Sequence, residues 1–167
     1  MAKMTLPFKV NDDPARKEFL VNQLIAILAD LGEDSKPNWG KMSPQQMVEH
    51  LIWTFDVSIG LIQVPCSTPE NKIEAYKRFL KSNLPTRQNF RNPILGDTLP
   101  ELHFENLKNA IEGLQKKIGF FYDSNRPSAK EVQNHPIFGP LNLEEWERSH
   151  YKHCFHHLQQ FGLLEAA

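Results

Sequence analysis

The chain is short of most features that announce a function at first sight. It has two cysteines in 167 residues, Cys66 and Cys154, and no CxxC pair, so a disulfide framework is not expected. No apolar run approaches the roughly 18 to 20 residues that span a bilayer. The first fourteen residues, MAKMTLPFKVNDDP, contain no apolar core followed by small residues and do not read as a signal peptide. A reducing cytoplasm is the expected setting. Nineteen Lys and Arg face twenty Asp and Glu, with no basic block, so neither a nucleic acid nor a membrane is expected as a partner. There is no internal repeat or low-complexity tract, and no GxSxG, P-loop, GxGxxG or HExxH. The last absence removes the general base of a zincin-type protease.

What is present reads with helical period. A single domain over 1–167 is long enough to bury roughly two-thirds of its unfolded surface. Asp13-Pro14 opens a first helix whose stripe is Leu20, Leu24, Ile27, Leu28 and Leu31, with Gly32 as its stop. Ser43 and Gln46 form a capping box around Pro44 and start the second. A short amphipathic helix is predicted over 69–80, then an irregular stretch to 97. The Thr98 to Glu101 spacing is a further capping box, ahead of the stripe Phe104, Leu107, Ile111, Leu114, Ile118, Phe121. Asn142 and Glu145 cap the last helix. Four long helices near 14–31, 43–61, 98–122 and 143–162, with no alternating strand run, predict an all-α bundle with long inter-helix excursions.

Seven histidines are the chain's distinctive resource, and four of them, His150, His153, His156 and His157, fall within eight residues. On the last helix the buried stripe reads Trp146, His150, His153, His157, Gln160, Leu164. His153 and His157 stand one turn apart and can share an ion, whereas His150 lies two turns from His157 and His156 is expected to face elsewhere. His50 is the only histidine on another helix's core stripe, beside Met47, Leu51, Thr54 and Val57. A lone core histidine is usually a hydrogen-bonded packing residue, and HxxxH alone is common. The conjunction of the two predicts a three-His site, which leaves a coordination position open. Glu147-x-x-His150 is half of a di-iron carboxylate motif, but no second ExxH exists. Trp39, His135, Phe138 and His150 are candidate pocket-rim residues; His135-Pro136-Ile137-Phe138-Gly139 joins a polar group, a stiff backbone and an aromatic wall.

Two segments carry a family resemblance. Ser43-Pro44-Gln45-Gln46-Met47-Val48-Glu49-His50-Leu51 resembles the second helix of the DinB-like metalloprotein superfamily, and His153-x-x-x-His157-Leu158-Gln159-Gln160-Phe161 resembles its last-helix signature. Pro37 to Met42 and His135 to Gly139 look like one bacterial branch of it. The resemblance implies a four-helix bundle holding a divalent ion, zinc or nickel, on His50, His153 and His157. It also implies transferase or isomerase chemistry with a low-molecular-weight thiol such as mycothiol, bacillithiol or glutathione. Its name, DNA-damage-inducible, is an expression label. The expected partner is a small-molecule substrate, and a homodimer is compatible with the sequence. The competing expectations are a metal-water hydrolase, for which Glu49 would be the nearest carboxylate but points about 100° away from His50, and a non-catalytic metal-binding stress-response module.

Overall fold

The computed structural model describes residues 3–90, 92–96 and 98–167. Two ends of sequence-based expectations, the first two residues of the leader reading and positions 91 and 97 of the irregular stretch, lie outside the described residues.

The fold is mostly helical, with a few short strands that alternation did not reveal. Asp12, not Asp13, caps the first helix, its carboxylate accepting from the Ala15 amide at 3.0 Å. That helix runs as α1 (Asp13–Glu18), a π turn (Phe19–Gln23) and α2 (Leu24–Leu28). α3 (Pro44–Ser58) begins at the expected capping box: Ser43 Oγ accepts from the Gln46 amide at 3.1 Å and Gln46 Oε1 from the Ser43 amide at 2.8 Å. α4 (Glu70–Lys77) tightens into a 3-10 turn (Arg78–Lys81). α6 (Leu143–Gln160) starts at the Asn142–Glu145 box. It ends where Gly162, at φ +70°, lets the Leu163 amide reach the Leu158 carbonyl at 2.9 Å.

The third long helix is the clearest departure. α5 spans Leu107–Tyr122 and is capped by Asn106, not by Thr98. Residues 100–104 are drawn out along α3 instead. Gln46 Nε2 donates to the Pro100 carbonyl, Gln45 Nε2 to the Phe104 carbonyl, and the Glu49 carboxylate accepts the His103 and Phe104 amides at 2.6 and 3.4 Å. Backbone groups that a helix start would have used are taken by a neighbouring helix. Phe104 then lays its ring over Gly113, where a Cβ would stand 2.5 Å from the ring.

The strands tie off the ends. β1 (Met4–Leu6) pairs in parallel with β4 (Leu164–Ala166), Met4 opposite Leu164. β2 (Gln133–His135) and β3 (Gly139–Leu141) form an antiparallel hairpin, so the His-Pro-Ile-Phe-Gly segment is a turn with φ +70° at Gly139. α3 packs along α5 and crosses α6, while the first helix lies against α5 and α6. Leu20, Leu24, Leu28, Met47, Leu51, Phe55, Leu114, Phe121 and Leu158 fill the space between them, essentially without exposure. No described helix is long and apolar enough to cross a membrane.

Candidate metal centre

α3 and α6 cross with their histidine-bearing faces together, and three rings meet there. His153 Nε2 lies 3.0 Å from His50 Nε2 and 3.0 Å from His157 Nε2. One ligand atom from each of the three residues falls within 4.8 Å of the others. A tetrahedral ion with bonds of about 2.0 to 2.1 Å sets ligand nitrogens roughly 3.4 Å apart, so this triangle needs only a small outward shift to admit one.

The three rings cannot satisfy one another's hydrogen bonds. His157 Nδ1 lies 2.7 Å from Gln160 Oε1, an acceptor, so Nδ1 carries the hydrogen and Nε2 a bare lone pair. A single hydrogen on His153 Nε2 is then all that two 3.0 Å contacts have between them, unless His50 turns an N–H against it. Adding protons is no remedy. Burial first, and neighbouring histidines second, hold the His50 ring down to about 4 and those of His153 and His157 well below the ordinary value. Three neutral imidazoles aimed at one point are what a cation would coordinate without displacing a proton.

The triangle opens on a cavity of about 1340 Å³. Trp39, His135 and Phe138 line it, as do Trp53, Phe79 and Trp146. His156 lines it too, packed against Trp39 and His157 at 5.3 and 5.1 Å between ring centres, contrary to the expectation that it faces elsewhere. Helical angle alone misplaced it, because the 37–41 turn folds over that flank of α6. Burial lowers its pKa to about 4, against an opposing backbone contact with Thr86.

His150 is the other correction, since it is not on the cavity wall. It is fully buried, stacked 3.7 Å from the Phe55 ring, with Nε2 at 2.9 Å from Ser58 Oγ. Ser58 donates to the Phe55 carbonyl, so His150 Nε2 donates to Ser58 and Nδ1 is left a buried acceptor without a partner among the described residues. His135 has the opposite disposition of protons from His157. Its Nδ1 accepts the Ile137 and Phe138 amides at 3.0 and 3.3 Å, which places the hydrogen on Nε2, and burial lowers its pKa to about 3.

Among the described lining residues there is no Asp, Glu or Cys, while Lys41, Arg87 and Lys152 contribute positive charge. Lys152 is spent structurally: its ammonium donates to the Phe79 and Ser82 carbonyls and the Ser82 hydroxyl. Glu49 is spent as well, on Gln45 and the two amides described above. Cys154 is fully buried, and that burial pushes its thiol pKa up.

A family model described as a protein of unknown function, DUF1569, matches residues 108–162. That stretch takes in α5, the hairpin and α6 with His153 and His157, but not His50 or Trp39. No curated protein and no solved structure matches the chain.

Proposed function

We propose that the protein is a DinB-like metalloenzyme of four-helix-bundle design, in which His50, His153 and His157 hold one divalent ion, zinc or nickel. A small thiol and an electrophilic substrate would meet at its open side. The observation that carries the reading is the unsatisfied Nε2 triangle, two 3.0 Å contacts with one hydrogen to share. Such a set is unfavourable when empty and favourable around a cation. When bound, the ion would hold a thiol as its thiolate and so supply a sulfur nucleophile at neutral pH.

The chain's own residues have matching tasks. His50 presents its ring from α3 and the HxxxH pair from α6, leaving the cavity side uncovered. Trp39, Trp53, Phe138 and Trp146 make aromatic walls that exclude water around an apolar ligand. His135 offers a neutral N–H whose ring is pinned by two backbone amides.

The test is cobalt substitution of the full chain followed by spectroscopy with added glutathione. The expected result is one cobalt per chain and a new sulfur-to-cobalt charge-transfer band on adding the thiol. A cobalt-loaded protein that ignores glutathione yet cleaves an ester or amide would move the function to hydrolysis. Failure to bind cobalt, zinc or nickel would remove the metalloenzyme reading altogether.

A further inference from the structure

The group that fixes the tautomer of His157 is itself fixed. Gln160 stands one turn past His157 at the last position of α6. Its Nε2 donates to the Trp39 carbonyl at 2.9 Å and its Oε1 faces His157 Nδ1 at 2.7 Å. An amide can be turned end for end, but here only one orientation works. A backbone carbonyl cannot donate, so the NH2 must face Trp39 and the oxygen must face His157. Oxygen in turn only accepts, so Nδ1 must carry the hydrogen. Neither His50 nor His153 has a comparable hydrogen bond at Nδ1 among the described residues.

The Trp39 carbonyl is held in place by the end of the same helix. The Asn38 amide donates to the Gln160 carbonyl at 2.7 Å, and Asn38 Nδ2 to the Gln159 carbonyl at 3.3 Å. This satisfies carbonyls that every helix C-terminus leaves open. The close approach requires Gly40. Its φ is +80°, and a Cβ there would stand 2.8 Å from Gln160 Nε2, closer than real Cβ atoms come.

We propose that Gln160 is a positioning residue. It locks His157 in the Nδ1–H tautomer so that Nε2 is a standing electron-pair donor, and the Asn38-Trp39-Gly40 turn is the clamp that aims it. The purpose of the clamp rests on the metal reading above; the tautomer does not. A hydrogen bond at the far nitrogen orients a ligand ring and raises its basicity, and its loss typically weakens metal binding about 10- to 100-fold.

The experiment is long-range 15N–1H spectroscopy of the histidine rings in the metal-free full chain near pH 7.5, with zinc titrations of three proteins. In the native chain His157 should appear as Nδ1–H. Gln160→Leu should lose that single tautomer and bind zinc about 10- to 100-fold more weakly. Gln160→Glu keeps an acceptor at Nδ1 but cannot donate to the Trp39 carbonyl, so it should keep the Nδ1–H tautomer while recovering only part of the affinity, a separation of tautomer from clamp that a mere packing role would not give. If Gln160→Leu fails to fold by circular dichroism, Gly40→Ala and the native tautomer carry the test. The proposal is overturned if native His157 is Nε2–H, or if Gln160→Leu or a folded Gly40→Ala binds zinc as the native chain does. A native chain that shows Nδ1–H but takes no zinc would instead defeat the metal reading and leave the clamp a purely structural device.

Discussion

Helix α6 carries two buried polar clusters on opposite plans. At Glu147 every group is matched. Its two oxygens accept from Arg16 Nε and from the Tyr122 hydroxyl, each at 2.7 Å, and Arg16 also donates to the Val10 carbonyl at 2.7 Å. Arg16 is 1% exposed, and its charge is answered within the cluster. Six and ten residues further on, His153 and His157 join His50 in a cluster whose near contacts share one hydrogen. Both clusters cost desolvation. Only the first recovers it from the protein's own atoms, and this is the difference between a cluster that holds a fold together and one that waits for a ligand. Glu147-x-x-His150 does not act as a metal motif, since both Glu147 oxygens are engaged and His150 is stacked on Phe55 inside the core.

The largest expected effect is on the unmatched cluster. His153→Ala should weaken zinc binding on the order of 100- to 1,000-fold, taking a zinc site's roughly 10 to 16 kcal/mol as shared across its ligands. Metal analysis after dialysis measures it. The same variant should leave the metal-free melting temperature unchanged or higher, because it removes the atom at the centre of both strained contacts. Unchanged metal content would refute the site, and a collapse of the metal-free fold would refute the contrast.

Glu147→Gln makes the reverse test. Arg16 would stay buried with only the exposed Asp13 carboxylate as counter-charge, at a cost of about 1 to 3 kcal/mol, or roughly 2 to 12 °C in melting temperature for a chain of this size. Zinc affinity should not move. A loss below about 1 kcal/mol would mean the matched cluster stabilises less than its geometry implies.

How far this contrast was legible in the sequence follows from what periodicity can see. Spacing along one helix placed His153 beside His157, and a histidine on a second core stripe singled out His50. Capping boxes fixed the starts of α3 and α6. Three of the misses involve contacts between distant segments. Thr98 to Glu101 has the letters of a cap, but Glu49, some fifty residues earlier, claims the amides of His103 and Phe104. His156 looked averted because nothing on its own helix says that Trp39 folds over it. Gln160 was on the right stripe, yet its partner is a backbone carbonyl, which no side-chain pattern records. The β2–β3 hairpin has three-residue strands around a Pro-containing turn, too short to alternate visibly.

Acid should sharpen the contrast at smaller amplitude per group. The folded pKa of His135 is lowered to about 3, and those of His50 and His156 to about 4, chiefly by burial, from an ordinary 6.5. Below 6.5 the unfolded chain takes up protons that the folded chain refuses, so stability is complete above that pH and falls as pH drops toward 4. Melting of the metal-free protein between pH 7.5 and 4.5 should show this decline. Saturating zinc should raise the curve at neutral pH, since a ligand bound only by the folded state stabilises it. The gain should shrink on acidification as protons compete for the same nitrogens. A flat metal-free profile would show that these rings are hydrated in solution.

The smallest effect is expected at Cys154, which stands between the two ligands' helix and the core without belonging to either cluster. It is fully buried, next in sequence to His153, and its thiol is held protonated by that burial. If packing is its whole role, Cys154→Ala loses a few apolar contacts, about 1 kcal/mol, which is roughly 2 to 4 °C at this size. Zinc affinity should stay within about twofold, a free-energy change well under 1 kcal/mol, and the cobalt band produced by added glutathione should be unchanged. In the native protein Cys66, which is half-buried, should alkylate with iodoacetamide before Cys154 does. A cobalt–sulfur band that appears without added thiol and vanishes in Cys154→Ala would make this cysteine a fourth ligand, close the open position, and turn the centre from a reactive site into a structural one.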